Sequence, residues 1–438
     1  EGTVLPPRND SVSAWDEHSD DERRVFSRLA GAYGAMLEHT DQQLGRLMAF
    51  LEQADLLDNT LVLLLSDNGA SQEGGPHGFI NAMGPYNLQP ESMAQKLARL
   101  DDIGGPNTHS NFPWGWAMAS NTPLKRYKQN THGGGIRDPL VMSWPAKIPT
   151  DGSIRNQFCH VSDLSPTILD LINVKVAATD GVGTPGTSFA ATLTDPTADT
   201  GKTTQYFEMF GHRGIVHNGW KAVAYHPPGS AFSDDVWELY NLNEDFNETH
   251  NLASAHPERL AEMQDIWWQE AETNQVLPLD DRFAPRFAEN AERHRGGRTH
   301  YTFWPGMGHL PSEVAPDLRS RSYTIKATVD LASATEQGVL IAHGDATGGY
   351  SLYLENGYLM HDLNIGGNHQ LLKSAQPLSP GHHELSLRMR RSKNADNSVN
   401  GTATLLLNGK DVASMQTDFI FSLMISWSGL DVSFDRGT

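Results

Sequence analysis

From Asp21 onward, apolar residues return at steps of three and four: Phe26, Leu29, Ala30, Tyr33, Leu37, Leu44, Leu47, Met48 and Leu51. That period predicts a long amphipathic helix with a charged outer side. A turn at Asp58-Asn59-Thr60 follows, and then the unbroken apolar run Leu61–Leu65. A short apolar run without alternation reads as a strand buried on both faces, so a parallel strand of an α/β sheet is expected here. Residues 70–120 are rich in Gly, Pro and Asn and only weakly periodic, as a long functional loop would be. Pro139–Pro145 predicts a second buried strand, and Ser162–Leu169 a helix start with Pro166 near its first turn.

The period then shortens. Gln205–Phe210, Arg213–Val216, Trp220–Tyr225 and Trp237–Tyr240 read as short strands, followed by a helix from about His256 to Thr273. This predicts a small antiparallel sheet packed by one helix. Beyond the Arg-bearing stretch 281–300, alternating segments such as Ser322–Val329, Ser351–Leu354 and Glu384–Met389 predict a β-sandwich. The run Ala403–Leu407 ends at Asn408-Gly409, a hairpin turn signal.

Composition narrows the partners. The chain has 438 residues, with 33 Lys+Arg against 53 Asp+Glu for a net charge of −20. Such a balance argues against nucleic acid, which needs a basic face, and suits a protein that holds a cation. No apolar run approaches the length of a membrane span. The single cysteine, Cys159, removes any intrachain disulfide framework or Cys-rich zinc site, and is expected as a buried thiol. The chain begins at Glu1 without a signal-peptide pattern, which reads as a processed or truncated N-terminus. Asn9-Asp10-Ser11, Asn247-Glu248-Thr249 and Asn400-Gly401-Thr402 match the glycosylation sequon.

The chemistry gathers at the end of the first strand, where Ser66-Asp67-Asn68-Gly69 offers an anionic oxygen, a neutral carbonyl oxygen and a sharp turn. That donor mix is what hard cations prefer, although a plain turn would read the same way. Asn121–Arg137 carries Lys128 and His132 ahead of Gly133-Gly134-Gly135.

Taken in order, Tyr33, Asp41, Gly45, Leu56, Asn59-Thr60, Leu61–Leu65, Ser66–Gly69, the lysine and glycine segment Asn121–Arg137, the strand Pro139–Pro145, Asp163–Leu169 and Trp237–Leu252 resemble the sulfatase family of the alkaline-phosphatase-like superfamily. The long segment 74–123 and the sandwich make the chain similar to the larger bacterial arylsulfatases. The resemblance implies an alkaline-phosphatase-like mixed α/β sheet with flanking helices, present incompletely, then a small antiparallel α+β subdomain and an all-β sandwich. The implied boundaries are a leader at 1–20, the rear half of the sulfatase domain at 21–200, the subdomain at 201–280, a linker at 281–300 and the sandwich at 301–438.

It further implies that Asp67 and Asn68 ligate calcium, and that Lys128, in preference to Lys125, reaches the same sulfate group. His132 would be a second donor near the leaving oxygen. The family's formylglycine nucleophile arises in a "C.PSR" segment, which this sequence does not contain. The resemblance therefore implies a sulfuric ester hydrolase of small aryl or alkyl sulfates that carries part of its active site here. Such a chain would be inactive alone, partnered by a missing N-terminal portion of the same enzyme, and periplasmic or secreted. Two other readings stay open: a non-catalytic sulfatase-derived binding or scaffold protein, and a phosphoester or phosphonate hydrolase of the same superfamily.

Overall fold

The computed structural model describes residues 4–9, 11–149, 152–175, 186–282, 285–286, 289, 292–293, 296–393 and 399–437. Parts of the expected leader and of the expected linker 281–300 lie outside these residues. The chain divides into two compact units, one formed by residues 1–13, 35–72 and 114–282, the other by 14–34, 73–113 and 283–438. The stretch 21–200 contributes to both.

A long helix, Asp20–Gln53, starts at a capping box in which Ser19 and Glu22 exchange hydrogen bonds, with Asp20, Asp21 and Glu22 at the positive end of its dipole. Its first turns bury Val25, Phe26 and Leu29. The second half departs from expectation: Leu37, Leu47 and Phe50 are 49%, 51% and 61% exposed. The helical period was legible, but the stripe is covered along only part of its length.

In the first unit, β1 (Val62–Leu65) pairs with β2 (Leu140–Ser143), Leu65 lying opposite Leu140. The pairing is antiparallel, and Leu64, Leu65 and Val141 are 50%, 41% and 59% exposed. This corrects the expectation of a buried parallel strand. An unbroken apolar run records that both faces are built for burial, and carries no information on strand direction or on which residues supply the cover. A second sheet joins β3 (Thr204–Met209), β4 (His212–His217), β5 (Trp220–Ala224) and β6 (Trp237–Asn241) as an antiparallel meander. The helix Pro257–Thr273 lays Met263, Trp267 and Ala271 on Ile215, Ala222, Ala224 and Leu239, as the sequence predicts. Each large side chain buried in this way contributes about 1.5–3 kcal/mol.

The second unit is the sandwich together with the segments 14–34 and 73–113. One sheet runs β11 (Asn368–Lys373), β10 (Tyr358–Ile365), β9 (Gly348–Glu355), β8 (Gly338–Asp345) and β15 (Leu430–Val432); the other runs β14 (Lys410–Thr417), β13 (Val399–Leu407), β12 (Gly381–Lys393) and β7 (Tyr323–Leu331). Alternating residues such as Leu352, Leu354, Leu385, Leu387 and Leu405 form the core, joined by Phe79, Ala82 and Met83. Among the described residues, no helix is long and apolar enough to cross a membrane.

Candidate functional site

Every sequence-predicted site residue falls in the first unit, on two loops that the backbone ties together. Ser66 N–H donates to Pro139 O at 3.3 Å, continuing the β1–β2 pairing past the strand end. The Ser66 hydroxyl donates to Asn68 O at 2.8 Å and the Asn68 Nδ2 to Gly69 O at 3.0 Å. The second of these orients the Asn68 amide, using its nitrogen and leaving the oxygen as the acceptor end. Gly69 N–H meets Gly135 O at 3.4 Å, and Lys128 N–H donates to Ala70 O at 3.1 Å. Asn121 is the hub of these loops: its Oδ1 accepts Ala70 N–H at 3.0 Å, while its Nδ2 donates to Arg126 O at 3.1 Å and Gly134 O at 2.8 Å.

The approach is so close that a Cβ on Gly69 would lie 1.7 Å from Gly134 O. Replacing Gly69 with alanine is therefore expected to push the loops apart and cost about 1–3 kcal/mol, read as a lowered thermal midpoint.

Asp67 is exposed and Asn68 half-buried. A residue that sequence reasoning missed joins them. The carboxyl of Asp138 is pushed up to about 6, first by burial and then by the negative charge of Asp67. Because folded Asp138 holds its proton more tightly than the unfolded chain does, stability falls as pH rises from 3.8 to about 6. Asp138→Asn should accordingly be more stable than the natural chain above that window in chelator-containing buffer. The difference should vanish below the window, as followed by denaturation across pH.

Asp67, Asn68 and Asp138 supply the hard oxygen donors suited to calcium, and a cation would relieve the repulsion between the two carboxylates. Calcium takes about six to eight such oxygens, and among the described residues no group of three or more His, Cys, Asp or Glu is gathered for a metal. The donor chemistry of these three residues suits calcium, and they are fewer than the oxygens such an ion takes.

Lys128 is half-buried on the loop that abuts Ala70. His132 is placed differently. It is 1% exposed, its Nε2 lies 3.3 Å from Glu238 Oε2, and its Nδ1 has no partner among the described residues. Complete burial pushes this imidazole down, which keeps it neutral. The same Glu238 oxygen accepts the Lys125 ammonium at 2.6 Å and the Tyr240 hydroxyl. Burial works to raise Glu238, yet hydrogen bonds from His132, Lys125 and Tyr240 hold it well below the usual carboxylate range.

The structure thus brings together the loops of Asp67, Asn68 and Lys128, and gives the His132 side chain to a separate network with Glu238. Beneath it, Glu248 accepts Gly133 N–H at 3.0 and 3.1 Å and the Lys221 ammonium at 2.5 Å, with both side chains of that ion pair 2% exposed. The sequence drew attention to Glu248 only through the sequon Asn247-Glu248-Thr249. Cys159 is exposed, correcting the expected buried thiol; local desolvation and then the Asp163 charge push the thiol up, opposite to the need of a nucleophile.

Comparisons with known proteins agree on one class. The Sulfatase family profile matches residues 7–174, and the profile described as N-sulphoglucosamine sulphohydrolase, C-terminal, matches residues 125–274. The chain belongs to the sulfatase family. It is 32% identical over 288 residues to an uncharacterised sulfatase of Schizosaccharomyces pombe, covering 64% of this chain and 50% of that protein. To the arylsulfatase of Klebsiella aerogenes it is 28% identical over 161 residues, covering 36% of this chain and 33% of that one. The chain therefore spans half or less of the length of these curated relatives. A solved protein in complex with its substrate, D-glucosamine-2-N,6-O-disulfate, aligns with 19% identity and a TM-score of 0.35 over 56% of this chain and 40% of that one.

Proposed function

We propose that this chain carries the oxygen-donor and ammonium-bearing part of the active site of a sulfuric ester hydrolase that cleaves aryl or alkyl sulfates. The observation that carries the reading is the hydrogen bond from Lys128 N–H to Ala70 O, which joins the lysine loop directly to Asp67-Asn68-Gly69. Asp67 and Asn68, with Asp138 beside them, would hold a calcium ion, which when bound would polarise a sulfate oxygen. Lys128 holds its ammonium against the transferred sulfuryl group and offsets the charge that develops on its oxygens. His132, buried and neutral, acts as a positioning residue: with Lys125 and Tyr240 it fixes Glu238 behind the glycine run, and so sets where the loop of Lys128 lies.

The nucleophile and the remaining oxygen donors come from further polypeptide of the same enzyme, so the isolated chain turns over no ester. The exposed apolar faces at Leu37, Leu47, Phe50, Leu64 and Val141 are of the kind that such polypeptide covers. By the same family reading the complete enzyme is periplasmic or secreted.

The test is to complete the site by producing the chain together with the coding sequence that lies upstream of it. Release of sulfate from 4-nitrophenyl sulfate is then compared with release of phosphate from 4-nitrophenyl phosphate. Sulfate release well above phosphate release is expected. A preference for phosphate points to the phosphoester reading, and release of neither points to a non-catalytic binding protein.

A further inference from the structure

We propose that the second unit carries a binding cleft for a neutral, hydroxyl-rich oligosaccharide, independent of the hydrolytic site. A cleft of about 1280 Å³ lies between the outer face of the β8–β9–β10 sheet and the segment 84–108, both within this unit. That exceeds the roughly 300–1,000 Å³ of small-molecule pockets and calls for an extended ligand.

Strand alternation sets its floor. Leu352 and Leu354 of β9 point into the core, so Ser351 and Tyr353 stand on the opposite face, where Ser351 pairs with Asp362 of β10. The charged groups of the cleft are largely spent on the protein itself. Glu91 accepts Ile80 N–H at 2.7 Å and Asn81 N–H at 3.0 Å. Asp345 accepts the backbone and hydroxyl of Thr347 and the hydroxyls of Ser426 and Ser428. Asp362 holds His369 Nδ1 at 2.7 Å, and Arg99 is divided between Asp102 and Gly366 O, each at 3.3 Å.

What remains is neutral apart from the carboxylates of Asp101 and Asp435 and the Asp362 Oδ1, which is buried without a partner among the described residues. Among the described residues, the hydroxyls of Ser351 and Tyr353 and the side-chain amides of Asn107 and Asn368 line the cleft without a hydrogen-bond partner. Burial and then the charge of Asp362 push the Tyr353 phenol up, so it stays protonated and able both to donate and to accept. Hydroxyls and amides that do both match a ligand whose groups are also hydroxyls. The half-buried Tyr353 ring adds a flat apolar surface for the C–H face of a sugar. Polyanions are disfavoured, because the exposed Asp101 and the half-buried Asp435 also line the cleft, with Arg99 already paired.

The experiment is calorimetric titration of the full chain with cellohexaose, xylohexaose, mannohexaose and chitohexaose, set beside a heparin hexasaccharide and spermine. At least one neutral hexasaccharide should bind. Tyr353→Ala should weaken that binding about tenfold or more, and Asn107→Ala should weaken it less. Asn107 is exposed, so its replacement reads the cleft even if Tyr353→Ala disturbs folding by circular dichroism. Lys128→Ala should leave the binding unchanged whether or not the hydrolytic reading holds. Four results overturn the proposal: no binding across the neutral panel, binding of heparin or spermine alone, neutral binding indifferent to both cleft substitutions, or neutral binding lost in Lys128→Ala.

Discussion

Lys128→Ala, in enzyme whose site has been completed by the rest of its polypeptide, should lower kcat/KM for an aryl sulfate by about 10²–10³-fold, with most of the loss in kcat. The magnitude is that of removing one preset donor from a site where charge develops in the transition state, about 2.7–4 kcal/mol. The split follows from role: a group that meets the sulfuryl oxygens more strongly in the transition state than in the ground state lowers kcat and kcat/KM together. Lys128→Arg should recover little, because a planar guanidinium does not replace a compact ammonium on a loop held by its own backbone at Ala70. Steady-state kinetics of the three proteins decide the matter. A loss confined to KM would make Lys128 a simple binding residue.

The largest effect on stability should come from Lys221→Met. Lys221 and Glu248 form an ion pair in which each side chain is 2% exposed, and Glu248 also accepts Gly133 N–H at the start of the short helix Gly133–Ile136. Burial pushes the Lys221 ammonium down while Glu248 pulls it back up, which is the balance of a charge held in the interior by its partner. Removing the lysine leaves a carboxylate in a dry site with one backbone donor. Breaking a buried pair in this way costs about 3–5 kcal/mol, where replacing both partners by apolar groups is often close to neutral. Urea unfolding should therefore show a lower midpoint at unchanged slope for Lys221→Met. A midpoint within experimental error of the natural chain would show that the glycine run does not depend on this anchor.

Much of this architecture was legible because it is written in local period. The strands β3–β6, the helix Pro257–Thr273 and the alternating strands of the sandwich follow from side-chain spacing alone. The loops of Asp67 and Lys128 were singled out through their resemblance to sulfatase motifs, and the backbone bond that joins them, Lys128 N–H to Ala70 O, was not readable from the sequence. Nor was strand direction: Leu61–Leu65 signals burial, and the same run serves a parallel or an antiparallel neighbour.

The supporting residues were hidden for a different reason. Asn121 matters through three backbone partners, Glu248 through Gly133 and Lys221, and Asp138 through the nearness of Asp67. Each gains its role from folding residues distant in sequence against it, or from a strand pairing, and neither leaves a mark in composition or period. His132 shows the converse. Its place beside the glycine run suggested a second donor near the leaving oxygen; in the fold β6 presents Glu238 to it and the imidazole is buried there, which the sequence did not signal.

Crystals of the protein grown with calcium and inorganic sulfate test the joining of the two loops most directly. The account predicts calcium, identified by its anomalous signal, on the side-chain oxygens of Asp67 and Asn68, and sulfate within hydrogen-bond reach of the Lys128 ammonium. Calcium bound away from Asp67, or a Lys128 ammonium turned from a sulfate seated on that calcium, would contradict it.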